Sequence, residues 1–204
     1  MVDVIVRGGL VMVPLLLCSV LAVAVSLERV WFMVRARVDT EDLMEDVKLA
    51  LAQGKVLEAM QIAKKSRGPV ASVLSAGIAH YDREKEEIKE RVEEVGKEEI
   101  FKMERRMNIL DAIVTIAPLL GLLGTVTGII KSFNVLGALE GIDQPAALSI
   151  GIAEALITTA VGLMIAIPTM AVYSYLNSLI DRNAAEMTKR TNELLDVLES
   201  RGEY

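Results

Sequence analysis

The 204-residue sequence predicts an all-α integral membrane protein with three transmembrane helices and long helical cytoplasmic extensions. Three observations predict it. Hydrophobic residues make up 52% of the chain and charged residues 25%, with a mean hydropathy of +0.42, so the two kinds have been separated along the sequence. Aromatic residues are only 4%, which makes the apolar excess aliphatic and larger than one small soluble core needs. That excess lies in three uncharged runs, each able to cross a hydrocarbon core of roughly 30 Å at about 1.5 Å per helical residue.

The first run, Gly8 to Leu27, has 20 residues without a charge and is read as transmembrane helix 1 of an N-terminal region, 1–33. Ala22-Val23-Ala24 mimics a signal-peptidase site. Asp3 offsets Arg7 ahead of the run, however, and the run is long for a signal peptide, so the segment is expected to be retained. Residues 34–108 form a cytoplasmic helical region in which 15 bases nearly balance 16 acids. Asp39-Thr40 ahead of Glu41, then Leu43, Met44, Val47, Leu49, Ala50 and Leu51, reads as a capped amphipathic helix that Gly54 closes. Val56 to Lys65 starts the next helix, and Ser66-Arg67-Gly68-Pro69 breaks it. From Asp82 to Arg106, 18 of 25 residues are charged, and Glu93/Lys97 and Glu98/Lys102 stand at i,i+4 in the favourable order, which describes a solvated helix. Its stripe of Ile88, Val92 and Val95 gives way to Glu99, Lys102 and Arg106. With no proline before Pro118, the helix is expected to run into the second span as one rod.

Ala112 to Ile130 is uncharged and closed by Lys131, placing transmembrane helix 2 at 109–135. Ala155 to Ile180 places transmembrane helix 3 at 148–180; its 26 uncharged residues exceed a bilayer's need, so it should tilt or emerge still helical. Lysine and arginine near span ends set orientation. Arg29, Arg35 and Arg37 follow the first span, Lys102, Arg105 and Arg106 precede the second, and Arg182 follows the third, so these ends face the cytoplasm. The loop 136–147 carries Glu140 and Asp143 and no base, and it is expected on the outer side of the membrane with the N-terminus. In the C-terminal helix, 181–204, Ala184, Met187, Thr191, Leu194, Leu195 and Leu198 recur at helical spacing and should pack on neighbouring helices.

A net charge of −6 argues against a nucleic-acid partner, whose electrostatic footprint is a surplus of lysine and arginine. One cysteine, Cys18, and one histidine, His80, leave no intrachain disulfide, no cysteine-ligated metal and no histidine cluster, so no metal and no cofactor are expected. The chain has no GxSxG, Walker loop, HExxH or glycine-rich dinucleotide turn, and it is not expected to be an enzyme. The many carboxylates of the polar segment read as a solvated helix face.

Glu154 stands apart. Between Asp143 and Asp181 it is the only acid or base, and a charge at the bilayer centre costs about 2.5 to 3.5 kcal/mol on insertion scales. An intramembrane acid points to an ion pathway; the bland alternative is that Glu154 lies near the outer interface and stays hydrated. On an ideal helix it shares a face with Gly151, Thr158, Val161, Ile165 and Pro168. In the second span Pro118, Gly121, Thr125, Gly128 and Ser132 follow one another at 3-4-3-4 spacing, a small and mildly polar stripe. Such a stripe either packs helices closely, as the Gly124/Gly128 pair suggests, or walls a pore. On the pore reading, leucine at Thr125 or Gly128 would leave a ring assembled and block a helix inside it.

Ile116-Ala-Pro-Leu-Leu-Gly-Leu-Leu-Gly-Thr-Val-Thr-Gly-Ile-Ile-Lys-Ser-Phe133, with Gly151-Ile-Ala-Glu-Ala-Leu-Ile-Thr-Thr-Ala-Val-Gly-Leu-Met-Ile-Ala-Ile-Pro168, resembles the MotA/TolQ/ExbB proton-channel family, nearest its ExbB and TolQ branches. Gly8-Gly9 and Leu27-Glu28-Arg29-Val30-Trp31 extend the likeness to nearly the whole chain. The resemblance implies a homopentameric ring in the bacterial inner membrane, which makes the outer side periplasmic, with spans two and three around a pore. The pore would receive the single span of an ExbD- or TolR-like partner bearing an intramembrane aspartate. It also implies a TonB- or TolA-like protein driven by the proton motive force, and Glu154, Thr125 and Thr159 as the polar residues of the pathway. Thr159 points about 140° from Glu154 on an ideal helix, so Thr158 has the better geometry and Thr159 the better family match. The alternative function is a passive membrane scaffold that stabilises a single-span partner.

Overall fold

A computed structural model describes residues 9–35, 39–138 and 144–202. Among the described residues every regular element is helical. The helices are α1 (Met12–Arg35), α2 (Thr40–Ala52), α3 (Val56–Lys65), α4 (Pro69–Ala79), α5 (Lys85–Glu104), α6 (Met107–Ala138) and α7 (Gln144–Gly202). Glu140 and Asp143, on which the reading of the loop at 136–147 rests, lie outside the described residues.

The chain divides into two compact units, the first built from residues 1–28 and 106–175. Its core joins Met12, Leu15 and Ala22 of α1 to Ile113 and Ala117 of α6 and Ala166 of α7. Around that small core the surface is apolar: Leu17 and Val20 on α1, Leu119, Leu122 and Ile130 on α6, and Leu156 and Met164 on α7 are all exposed. Large apolar patches facing outward mark surfaces meant for lipid or for other protein. α1, α6 and α7 each contain a stretch long and apolar enough to cross a membrane.

The second unit comprises residues 29–105 and 176–204. The Asp39 carboxylate caps α2 by accepting hydrogen bonds from the Glu41 and Asp42 amides at 3.0 and 3.4 Å, which satisfies two orphan donors of the first turn. Gly68 (φ +105°) turns the chain into Pro69, the first residue of α4. Met44, Val47 and Leu51 of α2, Leu74 and Ile78 of α4, Ile88 and Val92 of α5, and Leu194 of α7 form the buried interior. Gly77 admits Leu194, because a β-carbon there would stand 2.5 Å from the Leu194 Cδ2. Arg29 lies over the Phe32 ring at 4.8 Å and Arg35 over Trp31 at 5.3 Å, cation–aromatic pairs of the kind that populate a membrane interface.

α7 is tied to this unit by polar contacts as well. Thr40 Oγ1 donates to Glu186 at 3.0 Å, Lys48 meets Glu193 at 3.1 Å, and Lys85 meets Glu199 at 2.6 Å. Burial pushes the Glu193 carboxyl up, but hydrogen bonds from Lys48 and Arg190 outweigh that and hold it below its usual value. A carboxyl depressed in the folded chain contributes stability above its unfolded value, about 4.3, and loses it as pH falls through the lower folded value. Glu193→Gln is therefore expected to lower the thermal midpoint at pH 7 by roughly 2–4 °C, with the gap from wild type closing below about pH 4. Circular-dichroism melts from pH 7 to 3 check this; a gap as wide at pH 3 as at pH 7 would contradict it.

The expected single rod from Asp82 into the second span is not found. α5 ends at Glu104 and α6 begins at Met107, with Arg106 in left-handed backbone at φ +68°, a conformation a non-glycine residue adopts only under constraint. The Arg106 guanidinium lies 3.2 Å from Glu28 of α1, and its carbonyl accepts from the Ile109 amide. Neither glycine nor proline marks this turn, so residue type alone gave no sign of it. The expected helical exit of the third span is found: α7 runs 59 residues without interruption, through Pro168.

Candidate functional site

α6 and α7 approach through small residues. Gly121, Gly124 and Gly128 are buried on α6, and Gly151, Ala155, Thr158 and Gly162 are buried opposite them on α7. A β-carbon on Gly128 would stand 3.0 Å from Ala155 Cβ, one on Gly121 3.0 Å from Thr159 Cα, and one on Gly162 2.6 Å from the Ala117 carbonyl oxygen. A β-carbon on Gly124 would overlap the Thr158 side chain, and one on Gly151 the Ser132 hydroxyl. The absence of side chains at these points is what lets the two backbones meet. Leucine at Gly128 would strike α7 of the same chain, which alters the expectation that it would leave a ring assembled and act only on a helix inside it.

The hydroxyls of the two helices are largely satisfied within their own backbones. Thr158, only 1% exposed, donates to the Ala155 carbonyl at 2.7 Å. Ser132 donates to Gly128 at 2.8 Å, and the half-buried Thr125 to Leu122 at 2.6 Å. Thr159 is different: its hydroxyl crosses to the Gly121 carbonyl of α6 at 3.0 Å. Thr158 and Thr159 thus both engage α6, one by packing and one by a hydrogen bond. Of the two prolines singled out in the sequence, Pro118 is half-buried and Pro168 exposed.

Glu154 comes one residue before the buried Ala155 and reaches α6 beside this seam. Its side chain is 18% exposed, and its Oε2 lies 3.2 Å from the Lys131 ammonium of α6. On the other side is Gly9, just before α1, at φ +65°; a β-carbon on Gly9 would stand 2.5 Å from Glu154 Oε1. The carboxylate therefore sits where all three apolar helices come within reach, with a cation on one oxygen and bare backbone beside the other. Sequence reasoning had marked Lys131 only as the end of a span and Gly9 only as part of a pattern. Their common signal is position, since each lies at one end of its own apolar run.

Chemically this is an ionisable group able to take up and release a proton. Among the described residues no group of three or more His, Cys, Asp or Glu side chains stands close enough to hold a metal ion. A concavity of about 430 Å³ in the second unit is lined by Arg67, Arg182, Lys189 and Arg190 but also by Asp39, Glu41 and Glu186. Its mixed charge favours no ligand, and Arg190 already pairs with Glu186 and Glu193.

The sequence profile of the MotA/TolQ/ExbB proton channel family matches residues 65–189, a span that contains α6 and the Glu154 region of α7. The biopolymer transport protein ExbB-like 1 of Synechocystis sp. is 38% identical over 183 residues, 88% of this chain and 71% of its own length. The biopolymer transport protein exbB1 of Vibrio cholerae is 30% identical over 200 residues, 90% and 82% of the two chains. The Tol-Pal system protein TolQ of Haemophilus influenzae is 44% identical over 80 residues, 39% of this chain and 34% of its own.

Proposed function

Because the chain belongs to the MotA/TolQ/ExbB proton channel family, we propose that it is the ring-forming subunit of an ExbB-ExbD or TolQ-TolR type motor in the bacterial inner membrane. It is a multi-pass channel subunit and not an enzyme. Protons cross by way of Glu154 and an intramembrane aspartate on a single-span partner, and the movement energises an outer-membrane process through a TonB- or TolA-like protein. The N-terminus and the Glu154 end of the pathway face the periplasm, and α2 to α5 with the end of α7 lie in the cytoplasm. The observation that carries the reading is Glu154, an acid near the end of an apolar helix, within reach of two further apolar helices. One charge moved through the membrane potential is worth about 2.3 kcal/mol per 100 mV, enough to change a two-state ratio roughly 50-fold per proton. Such a bias suffices to drive a conformational cycle.

Thr125 and Thr159 are proposed to line or steady the pathway beside Glu154, with Thr158 as the packed hydroxyl of the α6–α7 seam. Three helices cannot both enclose a hydrated route and cover the exposed apolar faces of α6 and α7, so several copies share the wall, five by family likeness. Native mass spectrometry in mild detergent is expected to return a pentamer, alone or with the partner. Monomers only would refute the ring. The function itself is tested by purifying the chain with the product of a neighbouring single-span gene and measuring proton flux in liposomes. A passive scaffold would assemble normally and pass no protons, with Glu154→Ala behaving as wild type.

A further inference from the structure

We propose that Lys131 is a tethered counter-ion that closes the Glu154 carboxylate to protons from the periplasmic side until it is drawn away. The inference rests on the reading of Glu154 as the proton-carrying group and adds a gate to it. Lys131 is the first charge after 19 uncharged residues of α6, and its ammonium lies 3.2 Å from Glu154 Oε2. The two members of the pair are held very differently. Glu154 is fixed on α7, mostly covered, with Gly9 close beside its second oxygen. Lys131 is 67% exposed, on a four-carbon stem with no other hydrogen bond among the described residues.

That asymmetry gives the pair its character. An ion pair with one largely solvated member is cheap to open, and the lysine can swing out without repacking either helix. While paired, the ammonium occupies one carboxylate oxygen, and Gly9 leaves the other little free approach. With the ammonium withdrawn, the carboxylate regains an open face and can accept a proton. A second carboxylate brought alongside by a partner helix would compete for the ammonium, so that partner engagement and opening coincide. Among the described residues Lys131 is the charged side chain that meets Glu154; Asp3, Arg7, Glu140 and Asp143 lie outside them.

The test uses the full chain without partner, in liposomes under an imposed potential, with proton entry followed by a quenched dye. Lys131→Met should raise proton permeability at least fivefold over wild type, Lys131→Arg should stay at the wild-type level, and Lys131→Met with Glu154→Gln should return to background. Thermal melts confirm that each variant is folded, as the exposure of Lys131 leads one to expect. Lys131→Met as tight as wild type overturns the gate, and so does Lys131→Arg leaking like Lys131→Met. A double variant that leaks as much as Lys131→Met overturns it too and shows that Glu154 is not the carrier. If the gate alone fails, loss of flux in the partnered Glu154→Ala complex still stands as evidence for the carrier.

Discussion

Glu154→Ala is expected to cut proton flux through the partnered complex by about 100- to 10,000-fold, the range that a positioned proton-transfer group supplies. Alanine removes the only carboxylate between Asp143 and Asp181, and no hydroxyl nearby can replace it. The Thr158 and Ser132 hydroxyls donate to backbone carbonyls in their own helices. The fold should survive, because the α6–α7 seam packs through Gly121, Gly124, Gly128, Ala155, Thr158 and Gly162, and the Lys131 that Glu154 pairs with on α6 is exposed enough to stay hydrated when abandoned. Glu154→Asp should fall between the two, since the shorter side chain keeps the chemistry but withdraws about one bond length from its partners. Flux in liposomes, read beside native mass spectrometry of the same sample, separates lost chemistry from lost assembly. Full flux in Glu154→Ala would end the motor reading.

Gly162→Ala is the second large effect expected, this time on folding. A single methyl there would stand 2.6 Å from the Ala117 carbonyl oxygen and 3.3 Å from Gly121 Cα, and both obstacles are backbone of a helix that cannot move locally. Overpacking of this kind costs about 1 to 3 kcal/mol, and Gly162→Leu should exceed that and prevent accumulation of folded protein. The control is the next residue. Leu163 is 43% exposed, so Leu163→Ala should leave the thermal midpoint within a degree or two. If Gly162→Ala melts with wild type in detergent, the close approach of α6 and α7 is not what holds the first unit together.

The elements most legible in the sequence were those with a local cause. The Asp39 cap, the Gly54 stop and the break at Ser66-Arg67-Gly68-Pro69 each depend on a residue type that suits one backbone position, and the structure has all three. The apolar runs were legible because a bilayer sets their length. The turn at Arg105 and Arg106 was not, because the Arg106–Glu28 ion pair that accompanies it joins residues 78 positions apart. The Glu154–Lys131 pair was hidden for a related reason. Each residue was visible as a charge at the edge of an apolar run, but their meeting depends on the register between α6 and α7, set by the fit of Gly128 against Ala155 and of Gly124 against Thr158. The competing claims of Thr158 and Thr159 could not be ranked from one helix alone, since the Thr159 partner is a carbonyl on the other.

The hydroxyls bonded to their own helix backbone bear on how the protein is made. Thr115, Thr125, Thr127 and Ser132 in α6, and Thr158 and Thr169 in α7, each donate to a carbonyl three or four residues earlier in the same helix. Each helix therefore enters the lipid with these polar groups already satisfied, and lateral assembly can wait. Lys131 precedes Glu154 in synthesis, so the costly acid reaches the bilayer after its counter-ion is in place. Insertion would then proceed one helix at a time, with Thr159 left to fasten the pair at the end.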